Sequence, residues 1–220
     1  MAGLLKLGVL ISGGGSNLQS IIDHIENGLL RASIEIVISN NPDAFGLARA
    51  KKHGISCTVL NHRDFASRED YDRELALLLK DAGVELIVLA GFMRILSAWF
   101  LGTFRDRVIN IHPALLPSFP GTNVQQAAID YGAKFSGCTV HFVDEGVDTG
   151  PVIIQAAVPV LPGDTADELA SRILRQEHKI YPQAIRYFAQ NRIVKKGRQV
   201  EIKGINYRER QVLHNPPLDD

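Results

Sequence analysis

The sequence predicts an α/β fold: a doubly wound, Rossmann-like, mostly parallel sheet with antiparallel additions in the C-terminal half. Strand and helix patterns alternate over residues 1 to about 112, as they do in a parallel sheet covered by helices. The strands of this stretch are apolar without polar alternation, which is typical of strands buried on both faces. After residue 112 two apolar segments are separated only by a loop, which indicates antiparallel strands.

The first half supplies the alternating elements. The expected strands are residues 6–12, 34–39, 58–60, 85–90 and 108–112. After the first strand, apolar residues recur with the spacing of one helix face, at Leu18, Ile21, Ile22 and Ile25. Ser16 or Asn17 is the expected N-cap of this helix. Further helices are expected at residues 45–53 and 67–82, the latter opened by Ser67 with an acidic residue at the capping-box position.

The second half is expected to add antiparallel strands at residues 136–143 and 152–160. A long helix follows at residues 165–190, and Pro182 is expected to kink it or divide it in two. Residues 192–202 predict a hairpin around Lys196 and Gly197, and the tail from Asn206 is expected to be frayed.

Charge and composition exclude several classes of protein. The 220 residues carry 24 basic and 24 acidic side chains, whereas a nucleic-acid-binding protein needs a basic excess, so no nucleic-acid partner is expected. The length suggests a single domain. No apolar segment is long enough to span a bilayer and no signal peptide precedes the first strand, which favours a cytoplasmic protein without a membrane partner. Cys57 and Cys138 are expected to be reduced, buried thiols.

A glycine-rich segment, Ser12-Gly13-Gly14-Gly15-Ser16-Asn17, joins the first strand to the first helix. Its backbone N–H groups and the positive end of the helix suit a phosphate. A dinucleotide-binding turn would have glycine in place of Leu18 and an acidic residue after strand two, and an ATP-binding loop would have a lysine. A single phosphate is therefore favoured over NAD or ATP, and a simple tight turn is the alternative.

Asn110 and His112 lie two residues apart at the end of the fifth strand, so their side chains point to the same side. An imidazole can transfer a proton near neutral pH, and a neighbouring amide can donate a hydrogen bond to a developing oxyanion. The alternative is a structural histidine at a strand end.

The acidic, glycine-rich loop from Asp144 to Pro151 connects the two antiparallel strands. A solvated turn is the simpler interpretation. If the loop folds over the sheet edge that carries His112, Asp148 would orient and tune that imidazole.

Residues 89–96 place apolar side chains after strand four, either in the core or as the wall of a pocket for a flat aromatic ligand. No cluster with metal-ligand spacing is present, and His141 with Asp144 is only a weak pattern, so no metal is expected. The absence of a G-x-S-x-G elbow argues against a serine hydrolase.

Taken together, the segments SGGGSNLQ, LAGFMRIL, NIHPALLP and VDEGVDTGP resemble the phosphoribosylglycinamide formyltransferases of the formyltransferase family. The resemblance runs from about residue 7 to residue 190, with the motifs in order. It implies transfer of the formyl group of 10-formyltetrahydrofolate to the amine of glycinamide ribonucleotide in de novo purine biosynthesis, by direct attack and without a metal. Both expected partners are small molecules, and the sequence does not decide between a monomer and a homodimer.

The resemblance also implies roles for individual residues. The catalytic residues would be Asn110, His112 and Asp148. The substrate-binding residues would be Gly15, Ser16, Asn17, Leu18, Gln19 and Glu177. The residues that bind the folate co-substrate would be Arg68, Met93, Arg94, Ile95, Leu96, Asn110, Val140, His141, Val143 and Asp144. A single formyltransferase domain would span residues 1–220, with a phosphate-binding half to about residue 105, a folate and catalytic half over 106–190, and a hairpin and tail over 191–220.

Two positions depart from the family pattern. Asn123 stands where histidine is common, which puts a secondary role of that position in doubt, and Gly14 stands where a small polar residue is usual. The nearest alternative is a formyltetrahydrofolate deformylase-like hydrolase, which would carry an additional N-terminal domain. A methionyl-tRNA formyltransferase would add a C-terminal domain, and a non-catalytic binding module would not need Asn110, His112 and Asp148.

Overall fold

The computed structural model describes residues 3–205 as a seven-stranded sheet flanked by helices, with a separate two-stranded hairpin. The strands are β1 (Leu5–Ile11), β2 (Ala32–Ser39), β3 (Cys57–Val59), β4 (Leu86–Leu89), β5 (Val108–His112), β6 (Phe135–Phe142), β7 (Val152–Pro159), β8 (Ile193–Lys196) and β9 (Gln199–Ile202). The helices are α1 (Ser16–Glu26), α2 (Phe45–Lys52), α3 (Arg68–Asp81), α4 (Ala98–Thr103), α5 (Val124–Tyr131) and α6 (Ala166–Ala189), with one 3₁₀ turn at His62–Asp64.

The sheet has the strand order β3-β2-β1-β4-β5-β6-β7. Strands β1 to β5 pair in parallel, whereas β6 and β7 are antiparallel. The chain leaves β1 towards β2 and β3 on one side and then crosses to β4 on the other side. The neighbours β1 and β4 therefore form the switch point where an open sheet leaves a crevice at its carboxyl edge. The predicted fold class is confirmed.

Apolar layers cover both faces of the sheet and leave that carboxyl edge for ligands. One layer packs α1, α2, α5 and α6 against the strands, with Leu18 and Ile185 fully buried. The other packs α3 and α4, with Tyr71 and Phe100 fully buried. Burial on both faces explains why β1, β2 and β4 are apolar without alternation.

The structure contains two short helices, α4 and α5, that the sequence analysis does not predict. The first spans six residues and the second eight, which is too short to display a clear apolar stripe. Helix α5 also begins after Asn123, which has a left-handed backbone conformation and gives no side-chain cap. The usual start signal is therefore missing.

Helix α6 continues through Pro182 as a single helix, so its expected division there is wrong. Proline lacks the N–H that would bond to the carbonyl four residues earlier, here that of His178. The hydroxyl of Ser20 on α1 donates to this carbonyl at 2.8 Å. The neighbouring helix thus supplies the donor that the proline removes. The predicted helix start is confirmed, because Thr165 and Glu168 form a capping box.

The β8–β9 hairpin is observed as predicted, whereas the tail from Asn206 lies outside the described residues. Both cysteines are unpaired thiols; Cys138 is buried, but Cys57 is only half-buried because β3 is the edge strand. Within residues 3–205, no helix combines the length and apolar character needed to cross a membrane.

Candidate active site

Two cavities open at the carboxyl ends of the parallel strands and share Gly91 and Met93 in their walls. The smaller, about 290 Å³, is formed largely by the segment from Ser12 to Asn17, called the glycine turn below. The larger, about 610 Å³, lies over the ends of β4 and β5 and beneath the loop between β6 and β7. The larger volume is typical of small-molecule sites.

The glycine turn leads directly into α1, which begins at Ser16. Gly15 precedes it in the left-handed region (φ 69°, ψ 32°), and no side chain caps the helix, so the expected N-cap at Ser16 or Asn17 is wrong. The first backbone N–H groups of a helix have no intrahelical acceptor. Because no side chain caps them here, these donors and the positive end of the helix dipole remain available at the end of α1 that borders the smaller cavity.

Ser12 ties the glycine turn to the segment after β4. Its backbone N–H donates to the Gly91 carbonyl at 3.0 Å, and its hydroxyl accepts a hydrogen bond from the Met93 N–H at 2.8 Å. The same hydroxyl donates to the side chain of Asn40. The wall shared by the two cavities is therefore held by a hydrogen-bond network.

Asn17 and Glu177 form a buried pair beside the glycine turn. The Asn17 amide donates to the Glu177 carboxyl at 2.8 Å, and burial raises the pKa of Glu177 although this hydrogen bond and the charge of His112 act to lower it. Within residues 3–205, the Asn17 Oδ1 atom has no hydrogen-bond partner. A buried orphan acceptor of this kind can receive a hydrogen bond from a ligand hydroxyl or amine.

Two of the predicted substrate-binding side chains point elsewhere. Leu18 is fully buried in the core beneath α1. The Gln19 amide is engaged behind the turn, where it donates to Asp23 and accepts from Arg49. In both cases only the backbone is left to face a ligand.

His112 lies at the end of β5 on the same face as Asn110, and both line the larger cavity. Its Nε2 atom is 2.8 Å from the Phe119 carbonyl, and its Nδ1 atom is 3.3 Å from the Asp148 carboxyl. A carbonyl and a carboxylate only accept hydrogen bonds, so both ring nitrogens are satisfied when both carry a proton. The ring is therefore held on one side by the Phe119 carbonyl and on the other by the Asp148 carboxyl.

Asp148 reaches His112 because the loop between β6 and β7 folds back over the sheet. The Gly121 N–H donates to Asp148 Oδ2 at 2.9 Å, and Asp148 has a positive φ of 55°. The loop passes so close to β6 that a Cβ on Gly150 would lie 1.7 Å from the Phe142 carbonyl oxygen, which only glycine permits. The expected approach of Asp148 to His112 is therefore observed, and its side chain is 13% exposed rather than freely solvated.

His141, directly opposite Asn110 on β6, adds a second imidazole to the site. Its Nδ1 atom donates to the Phe142 carbonyl at 2.8 Å, which leaves Nε2 to accept from the Asn110 amide at 3.3 Å. Burial lowers the pKa of His141, in keeping with the neutral tautomer that these partners require. His141 therefore orients the Asn110 amide.

The remaining predicted folate-binding residues divide into two groups. Those that line the larger cavity are Met93, Arg94, Ile95, Leu96, Val143 and Asp144. Arg68 and Val140 do not line it: Arg68 is the exposed first residue of α3. Val140 is fully buried in the core, because neighbouring residues of a strand point to opposite faces and His141 takes the cavity side.

Phe119 and Gly121, whose backbone groups hold His112 and Asp148, are not among the predicted site residues. Both act through the main chain, which leaves no side-chain signal in a sequence. Asn123 lies in the wall of the larger cavity, so this departure from the family pattern borders the site. In the part of the chain that the structure describes, no three His, Cys, Asp or Glu side chains are grouped to hold a metal ion.

Comparisons with known proteins agree with this geometry. The family model described as formyl transferase matches residues 5–185. Over 189 residues the chain is 46% identical to the phosphoribosylglycinamide formyltransferase of Escherichia coli K12, covering 86% of this chain and 89% of that protein. Over 182 residues it is 55% identical to the trifunctional purine biosynthetic protein adenosine-3 of Drosophila melanogaster, covering 82% of this chain and spanning only 14% of that protein.

Solved structures give the same result. Glycinamide ribonucleotide transformylase 1 from Symbiobacterium toebii superposes with a TM-score of 0.90 at 48% identity, covering 92% of this chain and 95% of that one. A formyltetrahydrofolate deformylase from Pseudomonas syringae superposes with a TM-score of 0.85 at 24% identity, covering 91% of this chain and 66% of that one. At this identity the second similarity concerns the fold alone.

Proposed function

The chain belongs to the formyl transferase family, and we propose that it transfers the formyl group of 10-formyltetrahydrofolate to the amine of glycinamide ribonucleotide in de novo purine biosynthesis. The observation that carries this proposal is the convergence of Asn110, His112 and Asp148 on a cavity that adjoins a phosphate-type turn. The family expected from the sequence motifs is confirmed, whereas the deformylase alternative is supported only by its fold.

The phosphate of the ribonucleotide would bind at the glycine turn. The uncapped N–H groups at the start of α1 are aimed into the smaller cavity and require no basic side chain. Asn17 and Glu177, beside the turn, would accept hydrogen bonds from the ribose hydroxyls or the glycinamide. The reacting amine would then extend past Gly91 towards His112.

The folate would bind in the larger cavity with its flat pterin against the apolar wall. Met93 and Ile95 are 70% and 55% exposed, although side chains of this kind are usually buried. Leu96 and Val143 continue the wall towards Asn110. The formyl carbon of the donor would thereby meet the amine where the two cavities join.

The chemistry follows from the groups at that junction. The neutral amine attacks the formyl carbon, a C–N bond forms, and the carbonyl oxygen becomes negatively charged. The Asn110 amide and the imidazolium of His112 would stabilise this oxygen. Asp148 would orient the His112 ring and accept the proton from the attacking amine. When the tetrahedral centre collapses, the bond between the formyl carbon and N10 breaks and N10 takes up a proton, which releases tetrahydrofolate and leaves the formylated glycinamide.

The test measures, for each variant in the same assay, the formation of formylated glycinamide ribonucleotide and the release of formate. Oxyanion donors contribute roughly 3–4 kcal/mol in comparable sites, so His112→Ala and Asp148→Asn should lower kcat/KM by about 10²- to 10³-fold. Asp130→Asn, on the exposed side of α5, is the matched control and should keep normal activity. Formation of formylated product that depends on the amine substrate supports the transferase. Formate released equally fast without that substrate would identify a hydrolase instead.

A further inference from the structure

We propose that Arg49, behind the glycine turn, is a positioning residue that aims the turn's N–H groups at the substrate phosphate. Arg49 lies on α2, outside both cavities, and cannot be inferred from the motif that marks the turn. The inference rests on the proposed function, because it takes a phosphate as the ligand of this turn.

Two carbonyls of the turn are held from behind by one helix. The Arg49 Nε–H donates to the Gly14 carbonyl at 2.9 Å, and the Gly46 N–H donates to the Gly13 carbonyl at 3.0 Å. In a trans peptide unit the carbonyl and the N–H point in opposite directions. Holding the Gly13 carbonyl therefore turns the Gly14 N–H away from α2, and holding the Gly14 carbonyl does the same for the Gly15 N–H.

The guanidinium is itself fixed on several sides. Its Nη1 atom donates to the Gln19 side chain at 3.2 Å, and its carbon lies 5.0 Å from the centre of the Phe45 ring. Gln19 in turn donates to Asp23 at 2.8 Å, which holds the amide oxygen towards Arg49. This network explains why the side chain of Gln19 faces away from the ligand cavity.

The glycine content of the turn makes an external support necessary. Gly14 has open space around its Cβ position and no side chain to restrict its backbone. Helix α2 is close enough to supply the support, because a Cβ on Gly15 would lie 2.7 Å from Gly46 Cα. Arg49 lies one helical turn beyond Gly46, on the same side of α2.

The test measures how much the phosphate contributes to binding. Affinities for glycinamide ribonucleotide and for its dephosphorylated nucleoside are measured by calorimetry, and their ratio is compared between variants. Arg49→Met removes the donor and should reduce this ratio by about tenfold or more, with the nucleoside affinity and the KM for the folate unchanged. Lys52→Met, an exposed change on the same helix, is the control and should keep the wild-type ratio.

Arg49→Gln distinguishes the effect of the hydrogen bond to the Gly14 carbonyl from the effect of the positive charge of Arg49. In glutamine the amide nitrogen is bonded to Cδ, as Nε is in arginine, so the variant keeps a donor at the same position and loses the positive charge. Recovery of most of the ratio in Arg49→Gln supports positioning through the Gly14 carbonyl. A ratio as low as that of Arg49→Met would show that only the charge acts and would overturn the proposal.

Three further results bear on the proposal. A wild-type enzyme that prefers the phosphorylated ligand, with the same preference in Arg49→Met, contradicts the role of Arg49 and leaves the proposed function intact. A wild-type enzyme without any preference for the phosphorylated ligand contradicts both. An equal loss of ribonucleotide, nucleoside and folate binding in Arg49→Met would show a general structural role and refute positioning.

Discussion

The contact between Ser20 and the His178 carbonyl predicts an unusual pair of stability effects. The carbonyl has lost its helical donor to Pro182, and the Ser20 hydroxyl replaces that donor at 2.8 Å. Ser20→Ala leaves a part-buried acceptor without this partner, at a position where residue 20 itself is only 7% exposed. The cost of such a group is about 1–3 kcal/mol. In a chain of this length, the melting temperature should fall by roughly 2–4 °C per kcal/mol.

The cost should depend on residue 182. In Pro182→Ala the new backbone N–H can donate to the His178 carbonyl, as in an ordinary helix. Ser20→Ala should then cost less than about 0.5 kcal/mol, which gives a coupling energy of at least about 0.5 kcal/mol in a double-mutant cycle. The absolute stability of Pro182→Ala does not enter the comparison, because only the difference between the two backgrounds is used.

The assay is urea unfolding of the wild type, both single variants and the double variant. Ser171→Ala is the control, since this serine is exposed on α6, and its change should stay within about 0.5 kcal/mol. If Ser20→Ala costs the same in both backgrounds, the hydroxyl does not replace the missing helical donor and the explanation of the continuous helix is wrong.

Three other changes have expected outcomes. Gly15→Ala places an alanine at a positive φ of 69°, with its Cβ 2.7 Å from Gly46 Cα, so the KM for the ribonucleotide should rise roughly tenfold or more. Gly102→Ala is the control: an added Cβ meets open space there, so the same KM should not change. Burial raises the folded-state pKa of Glu177, so the stabilising effect of the protonated carboxyl group is present below the unfolded pKa and is lost as pH rises through the folded pKa. In urea unfolding, Glu177→Gln should therefore be more stable relative to the wild type at about pH 8 than at about pH 4. An equal stability difference at both pH values would contradict this prediction. Arg172 donates two hydrogen bonds to Asp164 and lowers its pKa from 3.8 to about 2, so the stabilisation is present above pH 3.8 and lost as pH falls through about 2. Arg172→Met should lower the free energy of unfolding by about 1 kcal/mol near neutral pH, and this difference should shrink in unfolding curves recorded as the pH approaches about 2. A difference that does not change with pH would show that the ion pair is not its cause.

The positions of the main strands and of the glycine turn follow from local sequence patterns. Apolar runs without alternation predict buried parallel strands, and these are the strands that the structure contains. Asn110 and His112 are predicted to share a face because they lie two residues apart in one strand, and both line the larger cavity. In each case the information lies within a few residues of the chain.

The errors concern contacts between distant segments. Asn17 lies inside α1 and bonds to Glu177 across 160 positions, and Gln19 bonds to Arg49 across 30 positions, which turns its side chain from the ligand. No local pattern encodes either partner. Val140 is different, because the alternation of β6 already requires that it and His141 face opposite sides.

The pKa of Glu177 depends on one residue from each cavity, Asn17 and His112, and this affects how variants of the site should be interpreted. Burial raises its pKa, while the Asn17 hydrogen bond and the positive charge of His112 lower it. Replacing His112 by a neutral residue would therefore remove the proposed oxyanion donor and would also favour the protonated form of Glu177. A loss of activity in His112→Ala contains both effects, because interacting groups in one network are not additive. The chain has no formal net charge, and the proposed site needs no basic surface: backbone dipoles would hold the phosphate, and His112 lies beside the carboxyl group of Asp148.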